Sequence, residues 1–201
     1  MHTYTERSLR MSTPPNSPAL RARYQRRQQK VVSTAAVLFA RGGFQATSMD
    51  ELSEATGLRS GGLYHYIGSK QRLLFQIFQQ LMDPLLACAL EIEASDAEPE
   101  DKLRTLIRAW VAHVATHRDH MAVFAQERHA IERDSNWEEV RASRDAFEAI
   151  LSRLLVTVGL TDRLALFALL GMVNHTATWV SPNGRLTTEQ IADGYCDMLL
   201  R

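Results

Sequence analysis

The sequence predicts an all-α protein of about nine helices, three of them short and gathered near the N-terminus in a helix-turn-helix plan. Apolar residues recur with a 3.6-residue period in nearly every segment between turn signals. Around Gly57 two short periodic runs follow one another with only Gly57, Leu58 and Arg59 between them, the tight glycine-containing link of a helix-turn-helix. No stretch alternates with the period of a strand, and no internal repeat emerges.

At 201 residues and 45% hydrophobic content, the chain can bury a sizeable core in one domain or two small ones. No apolar run is expected to span a membrane, and MHTYTERSLRMSTPP lacks the apolar centre of a secretion signal, so a cytoplasmic protein with no membrane partner is expected. Met1 and Met11 are both candidate starts. Cys88 and Cys196 are far apart with no CxxC spacing, which gives no metal knuckle and no disulfide framework, and no cofactor motif is present. The formal net charge of zero conceals an asymmetry. Residues 1–80 carry about +7, including Arg21, Arg23, Arg26, Arg27 and Lys30, and the remainder carries about −7. A basic end on an acidic body fits a protein that meets a polyanion at one end.

Residues 1–20, with Pro14, Pro15 and Pro18 among Ser and Thr, read as a disordered basic arm; residues 21–69 form the helix-turn-helix domain and 70–201 a helical body. The first helix is expected over Ala22–Arg41, stopped by Gly42-Gly43. In TSMDELSEATG, Thr47 or Ser48 can cap the second helix, with Asp50 and Glu51 where a capping carboxylate sits. Leu63 and Ile67 resume the period in a third short helix. A long helix follows over Lys70–Ala94, bent at Pro84, then helices over Glu100–His117, Arg118–Arg133 and Asn136–Val158. Thr161 is expected to cap the segment Asp162–Val180, which is apolar on more than one face and therefore buried on several sides. A capping box at Thr187-Thr188-Glu189-Gln190 opens the last helix, Thr188–Leu200.

The run GLRSGGLYHYIGSK places Tyr64, His65 and Tyr66 side by side, where a helix must leave at least one facing outward. With Leu63 and Ile67 turned to the core, the opposite face suits double-stranded DNA. A tyrosine hydroxyl bonds phosphate while its ring meets sugar or a thymine methyl. Gly61 and Gly62 are poor helix formers that permit close backbone approach to a duplex. Lys70, and Thr47 or Ser48 beside the free amides of the second helix, can hold phosphates.

The stretch RRQQKVVSTAAVLFARGGFQATSMDELSEATGLRSGGLYHYIGSKQRLLFQIF, about a quarter of the chain, resembles the DNA-binding region of the TetR family of transcriptional regulators. The resemblance implies a homodimer with a reading head on each subunit, a palindromic operator, and a helical body whose small-molecule effector releases the DNA. It carries phosphate contacts onto Ser48, Tyr64 and Lys70, and base readers onto Ser60, Gly61 and Gly62. Arg59 stands where many relatives have a capping serine and Gly62 where threonine is frequent. Specificity is therefore expected to lean on Arg59, Tyr64 and Tyr66, with His65 as an extra contact.

By the same resemblance and by their apolarity, the last two helices form the dimer interface, with Leu166, Leu170, Val173, Tyr195 and Leu199 as contacts. A ligand pocket is expected between the middle helices near Trp110, His113, Met121, Phe124, Phe147 and Asn174. The tail GMVNHTATWVSPNGRLTTEQIADGYCDMLL resembles the acyl-CoA-responsive branch of the family at Asn174, Trp179, Pro182, Gly184 and Leu186, which adds Trp179 to the pocket. This chain has His175 and Val180 where that branch has an aromatic and a tyrosine. Arg128, Arg163 or Arg185 would meet the phosphates of an acyl-CoA. Two alternatives stand beside this expectation: a metal-responsive regulator or metal-dependent enzyme built on His113, His117 and His120 with Glu127 or His129 nearby, and an architectural DNA-binding protein without an inducer.

Overall fold

The computed structural model of the protein describes residues 17–133, 137–181 and 183–200, the side chains of 129–133 excepted. Among the described residues it holds nine α-helices and no strand: α1 (Pro18–Gly42), α2 (Met49–Thr56), α3 (Ser60–Ile67), α4 (Lys70–Ala94), α5 (Pro99–Thr116), α6 (Arg118–Arg133), α7 (Glu138–Thr157), α8 (Arg163–Trp179) and α9 (Thr188–Leu199). They form two compact units, the first ending at Ile77 and the second beginning at Phe78, so the opening turns of α4 belong to the first unit and the rest to the second.

Helix α1 begins four residues before the expected start. Pro18 occupies its first turn, where a missing N–H costs nothing and the fixed φ suits the helix. Residues 18–20 are therefore helical rather than part of an arm, and the expectation for residues 1–16 lies outside the described residues. Gly43 at φ 83° ends α1. A complete capping box opens α2: Glu51 N–H donates to Ser48 Oγ at 3.1 Å and Ser48 N–H to Glu51 Oε2 at 2.6 Å. These bonds hold the exposed Glu51 carboxyl below its ordinary range. Gly57, at φ 64°, makes the left-handed turn into α3. The core of this unit is drawn from Val31, Val32, Ala35, Ala36 and Phe39 of α1, Leu52 of α2, and Leu63 and Ile67 of α3, all essentially inaccessible.

In the second unit α5 packs against α6, α7, α8 and α9. Its expected stripe of Leu103, Leu106, Ile107, Trp110, Val111 and Val114 is fully buried. Trp110 meets Phe147 of α7 edge-on, with ring centroids 5.0 Å apart. Ion pairs between Arg108 and Asp193 (2.7 Å) and between Arg104 and Asp197 (3.5 Å) line the α5–α9 seam. The α8 cap is Asp162, whose carboxylate accepts from Leu164 N–H at 2.9 Å, and not the expected Thr161. The Thr187–Gln190 capping box forms as expected. By length and composition alone α4 would be long and apolar enough to cross a membrane, but half of that stretch is buried in the protein, where its apolar residues serve as core.

Candidate DNA-reading surface and effector cavity

Helix α3 carries the aromatic run, and the structure separates its three rings. Tyr64 is 47% exposed, whereas Tyr66 stacks on Tyr24 of α1 with ring centroids 5.0 Å apart. Tyr24 Oη donates to the His65 carbonyl at 3.0 Å, and Gln28 Nε2 donates to the Tyr66 carbonyl at 3.0 Å. Burial, and secondarily the neighbouring Tyr66, raises the Tyr24 hydroxyl above its ordinary pKa. The Tyr66 ring thus anchors α3 to α1, a role that the sequence expectation of a base contact missed. The signal was available in Tyr24, which recurs in the apolar period of α1. His65 is exposed and meets Tyr24 and Tyr66 by its edge.

The N-terminus of α3 is open. Arg59 occupies the N-cap position without a side-chain bond to the helix amides among the described residues. Arg59, Ser60, Gly61, Gly62, Tyr64 and His65 form one exposed set. A Cβ added at Gly61 or Gly62 meets no described atom within 4 Å, so nothing in the fold of this unit requires glycine there. Ser48 is exposed at the start of α2. Thr47 is only 6% exposed, with its hydroxyl donating to the Gly43 carbonyl at 2.9 Å, and so closes the α1–α2 turn rather than presenting a phosphate ligand. Lys70 Nζ donates to the Gln45 carbonyl at 3.1 Å and lies over the Phe44 ring at 4.7 Å. Two of its three N–H groups remain for other acceptors.

Trp110, His113, Met121, Phe124, Phe147 and Asn174, expected around a pocket, line one cavity of about 60 Å³ in the second unit. Leu81, Met82 and Leu85 of α4 and Leu170 of α8 complete its apolar wall; Arg144 and Glu148 of α7 are polar members that sequence reading missed. Arg144, three residues before Phe147, and Glu148, four after Arg144, stand at spacings that share a helix face, the signal that could have found them. Next to the cavity, and sharing Met121, Phe124 and Asn174 with it, runs a groove of about 730 Å³ along α6 and α8 that includes Arg118, Arg128, His175 and Thr178. Arg118 Nε donates to the Ala177 carbonyl in the last turn of α8 at 2.8 Å. Trp179, 46% exposed, lines neither recess, contrary to the tail-based expectation. Arg163 lies instead over the Phe167 ring, 5.1 Å from its centroid.

The three histidines form a row rather than a metal cage. His113 and His117 stack at 4.1 Å, and His120 meets His117 edge-on at 5.2 Å. His113 Nε2 donates to the Leu81 carbonyl (2.8 Å), His117 Nδ1 to the His113 carbonyl (2.9 Å), and His120 Nε2 lies 3.1 Å from Gln80 Oε1. Burial, then the charge of neighbouring histidines, lowers the pKa of His113 and brings His120 down to about 4. Among the described residues no three His, Cys, Asp or Glu are arranged to hold a metal, so the metal-responsive alternative is not favoured. The row's visible task lies at α4. His113 bonds the Leu81 carbonyl and His120 meets the Gln80 side-chain oxygen, which ties α5 and α6 to the turn of α4 preceding Pro84.

On α8 and α9 the expected dimer contacts turn mostly inward. Val173 is completely buried in the core of its own chain and cannot meet a second copy. Leu166, Leu170, Tyr195 and Leu199 are half-buried against that core, with Tyr195 Oη 2.7 Å from Thr176 Oγ1. The large apolar side chains exposed on these two helices are Leu164, Phe167, Trp179 and Met198. Gly171 on α8 and Gly194 on α9 lie mid-helix, and a Cβ at either meets no described atom within 4 Å.

Residues 31–77 match the family model described as bacterial regulatory proteins, tetR family, and residues 96–201 match the tetracyclin repressor-like C-terminal domain. The transcriptional repressor KstR2 of Mycobacterium tuberculosis (strain ATCC 25618 / H37Rv) is 24% identical over 183 residues, covering 87% of this chain and 91% of that protein. Among solved structures, AibR in complex with isovaleryl coenzyme A and operator DNA is 30% identical, with a TM-score of 0.72 over 87% of this chain and 98% of that one. The regulator PfmR from Thermus thermophilus is 29% identical, with a TM-score of 0.72 over 85% and 96% of the two chains. With an exposed helix-turn-helix in one unit, an apolar cavity in the other and both family models matched, the chain belongs to the TetR family of DNA-binding transcriptional regulators.

Proposed function

We propose that this protein is a homodimeric cytoplasmic repressor that occupies a palindromic operator and leaves it when an acyl-CoA binds the second unit. The observation that carries the effector class is the pairing of recesses. A small, mostly apolar cavity adjoins a larger groove bearing Arg118 and Arg128, the arrangement suited to an acyl group joined to a large anionic carrier. AibR, whose solved complex contains isovaleryl coenzyme A and operator DNA, supports the same class.

On the DNA, Arg59, Ser60 and the bare backbone at Gly61 and Gly62 meet base edges, and Ser48, Tyr64 and Lys70 meet phosphates. Dimerisation uses Leu164, Phe167 and Met198, with Gly171 and Gly194 allowing helices of a second copy to approach closely. Effector and DNA are coupled through α4, whose first residue is Lys70 and whose Leu81, Met82 and Leu85 wall the cavity. An effector must prefer the α4 position of the DNA-free form, because equal affinity for both forms would shift nothing. Gel-shift of the promoter beside the gene against a panel of acyl-CoAs, drugs and metals tests this. Release by acyl-CoAs is expected; release by another class alone would remove the acyl-CoA assignment.

A further inference from the structure

The polar part of the cavity constrains its ligand more narrowly than its apolar wall does. Arg144 lines the cavity, and its Nε–H is buried with no hydrogen-bond acceptor among the described residues. An unsatisfied buried donor of this kind loses its hydration without compensation, a cost that a ligand acceptor would remove. The guanidinium is not short of negative charge: Glu148 Oε1 stands 3.7 Å from Nε, too far for a hydrogen bond, and Asp145 Oδ1 stands 3.3 Å from a terminal nitrogen. One cation therefore faces two carboxylates, and Glu148 itself lines the cavity. The site is short of an acceptor but already provided with anions.

We propose that Arg144 is a specificity residue of the cavity, offering its Nε–H to the oxygen of an uncharged carbonyl, with Glu148 discriminating against free carboxylates. The class of fragment is a short ester, thioester or ketone. A carboxylic acid of the same length would bring a second negative charge beside Glu148 in the same recess, and like charges repel. The volume sets the length. About 60 Å³ exceeds what one water needs, roughly 10–15 Å³, and falls well below the roughly 300–1,000 Å³ of pockets for drug-sized ligands. A chain of a few carbons fits this space, and a fused-ring skeleton does not. The inference rests on the reading of the second unit as the effector-binding unit and sharpens it, since an acyl thioester would be held by its carbonyl and the corresponding free acid rejected.

The test uses the full-length protein and two small probes, methyl butanoate and butanoate, each titrated while the Trp110 indole N–H resonance is followed by NMR. Methyl butanoate is expected to shift that resonance and to bind at least ten-fold more tightly than butanoate. Arg144→Met should weaken the ester about ten-fold, and Glu148→Gln should narrow the gap between acid and ester. Arg144→Lys, which keeps the charge but moves the donor, should resemble Arg144→Met and serves if the methionine variant does not fold. Tighter binding of butanoate than of the ester, or equal ester affinity in wild type and both Arg144 variants, overturns the assignment. A Trp110 resonance unmoved by either probe, in a protein that another effector still releases from DNA, also overturns it while leaving the effector-responsive repressor intact. Failure of the repressor reading itself would show differently, as the absence of operator binding.

Discussion

Tyr24 and Tyr66 stack with their ring centroids 5.0 Å apart, joining α1 to α3, while Tyr64 on the same helix turns outward. Two tyrosines separated by one residue therefore differ in surroundings, one packed on α1 and one exposed. Tyr66→Ala should lower the stability of the protein by about 2–4 kcal/mol, the usual cost of truncating a packed aromatic reduced for partial exposure, and DNA binding should fail with it. Tyr64→Phe should leave the thermal midpoint unchanged and weaken binding to operator and random DNA alike. Thermal melts paired with fluorescence anisotropy separate the two effects; a Tyr64→Phe variant that unfolds early would place Tyr64 in the core contacts instead.

Gly61 and Gly62 yield an unusual pair of expectations. A methyl group added at either meets no described atom within 4 Å, so Gly61→Ala and Gly62→Ala should each stabilise the free protein by roughly 0.5–1 kcal/mol through helix propensity. The same methyl groups should reduce operator affinity if the backbone approaches the duplex there. A higher melting temperature with unchanged operator affinity would remove these glycines from the reading surface.

Charge contacts should divide by their salt dependence. Lys70→Ala should weaken binding to all sequences and reduce the salt slope by about 1, whereas Arg59→Ala should relax preference at particular base pairs. Because Lys70 also bonds the Gln45 carbonyl, a small stability loss of about 0.5–1 kcal/mol is expected beside the binding loss. Binding isotherms on operator and random DNA across a salt series check both statements.

Acidification should destabilise the second unit. His120, flanked by His113 and His117 and held at Gln80, has its pKa lowered to about 4, so the folded form resists a proton that the unfolded chain accepts near 6.5. Since the unfolded state binds more protons in that window, stability falls as pH drops from about 6.5 to about 4 and then levels off, by up to about 3 kcal/mol from His120. The lowered pKa of His113 acts in the same direction. Urea midpoints measured from pH 7 to pH 4 should show this slope, and His120→Gln should flatten it; an unchanged slope would mean that other groups carry the acid sensitivity.

The dimer face can be separated from the core by two substitutions. Phe167→Glu on the exposed side of α8 should yield a folded monomer by analytical ultracentrifugation, and Val173→Ala on the buried side should lower stability by about 1–3 kcal/mol without changing the oligomeric state.

Helix existence and the order of the elements were legible in the sequence because they follow from local rules. The α4 bounds, the Ser48 and Thr187 capping boxes and the turn at Gly57 each depend on residues within one or two turns of one another. Six of the seven expected pocket residues line one cavity because the apolar stripes of α5, α6, α7 and α8 already dictated which side chains turn inward. What the sequence could not assign was the side of a helix that is apolar all round. On α8, Val173 went to the core and Phe167 to the surface, and only the packing of α5, α6, α7 and α9 around α8 decided between them. The same holds for Tyr66 against Tyr64, which Tyr24 on the distant helix α1 resolves. Arg144 depends on tertiary structure for a third reason. Its spacing from Phe147 places it on the cavity side of α7, but the burial of its Nε without an acceptor among the described residues is a property of the surrounding helices, which no local pattern announces.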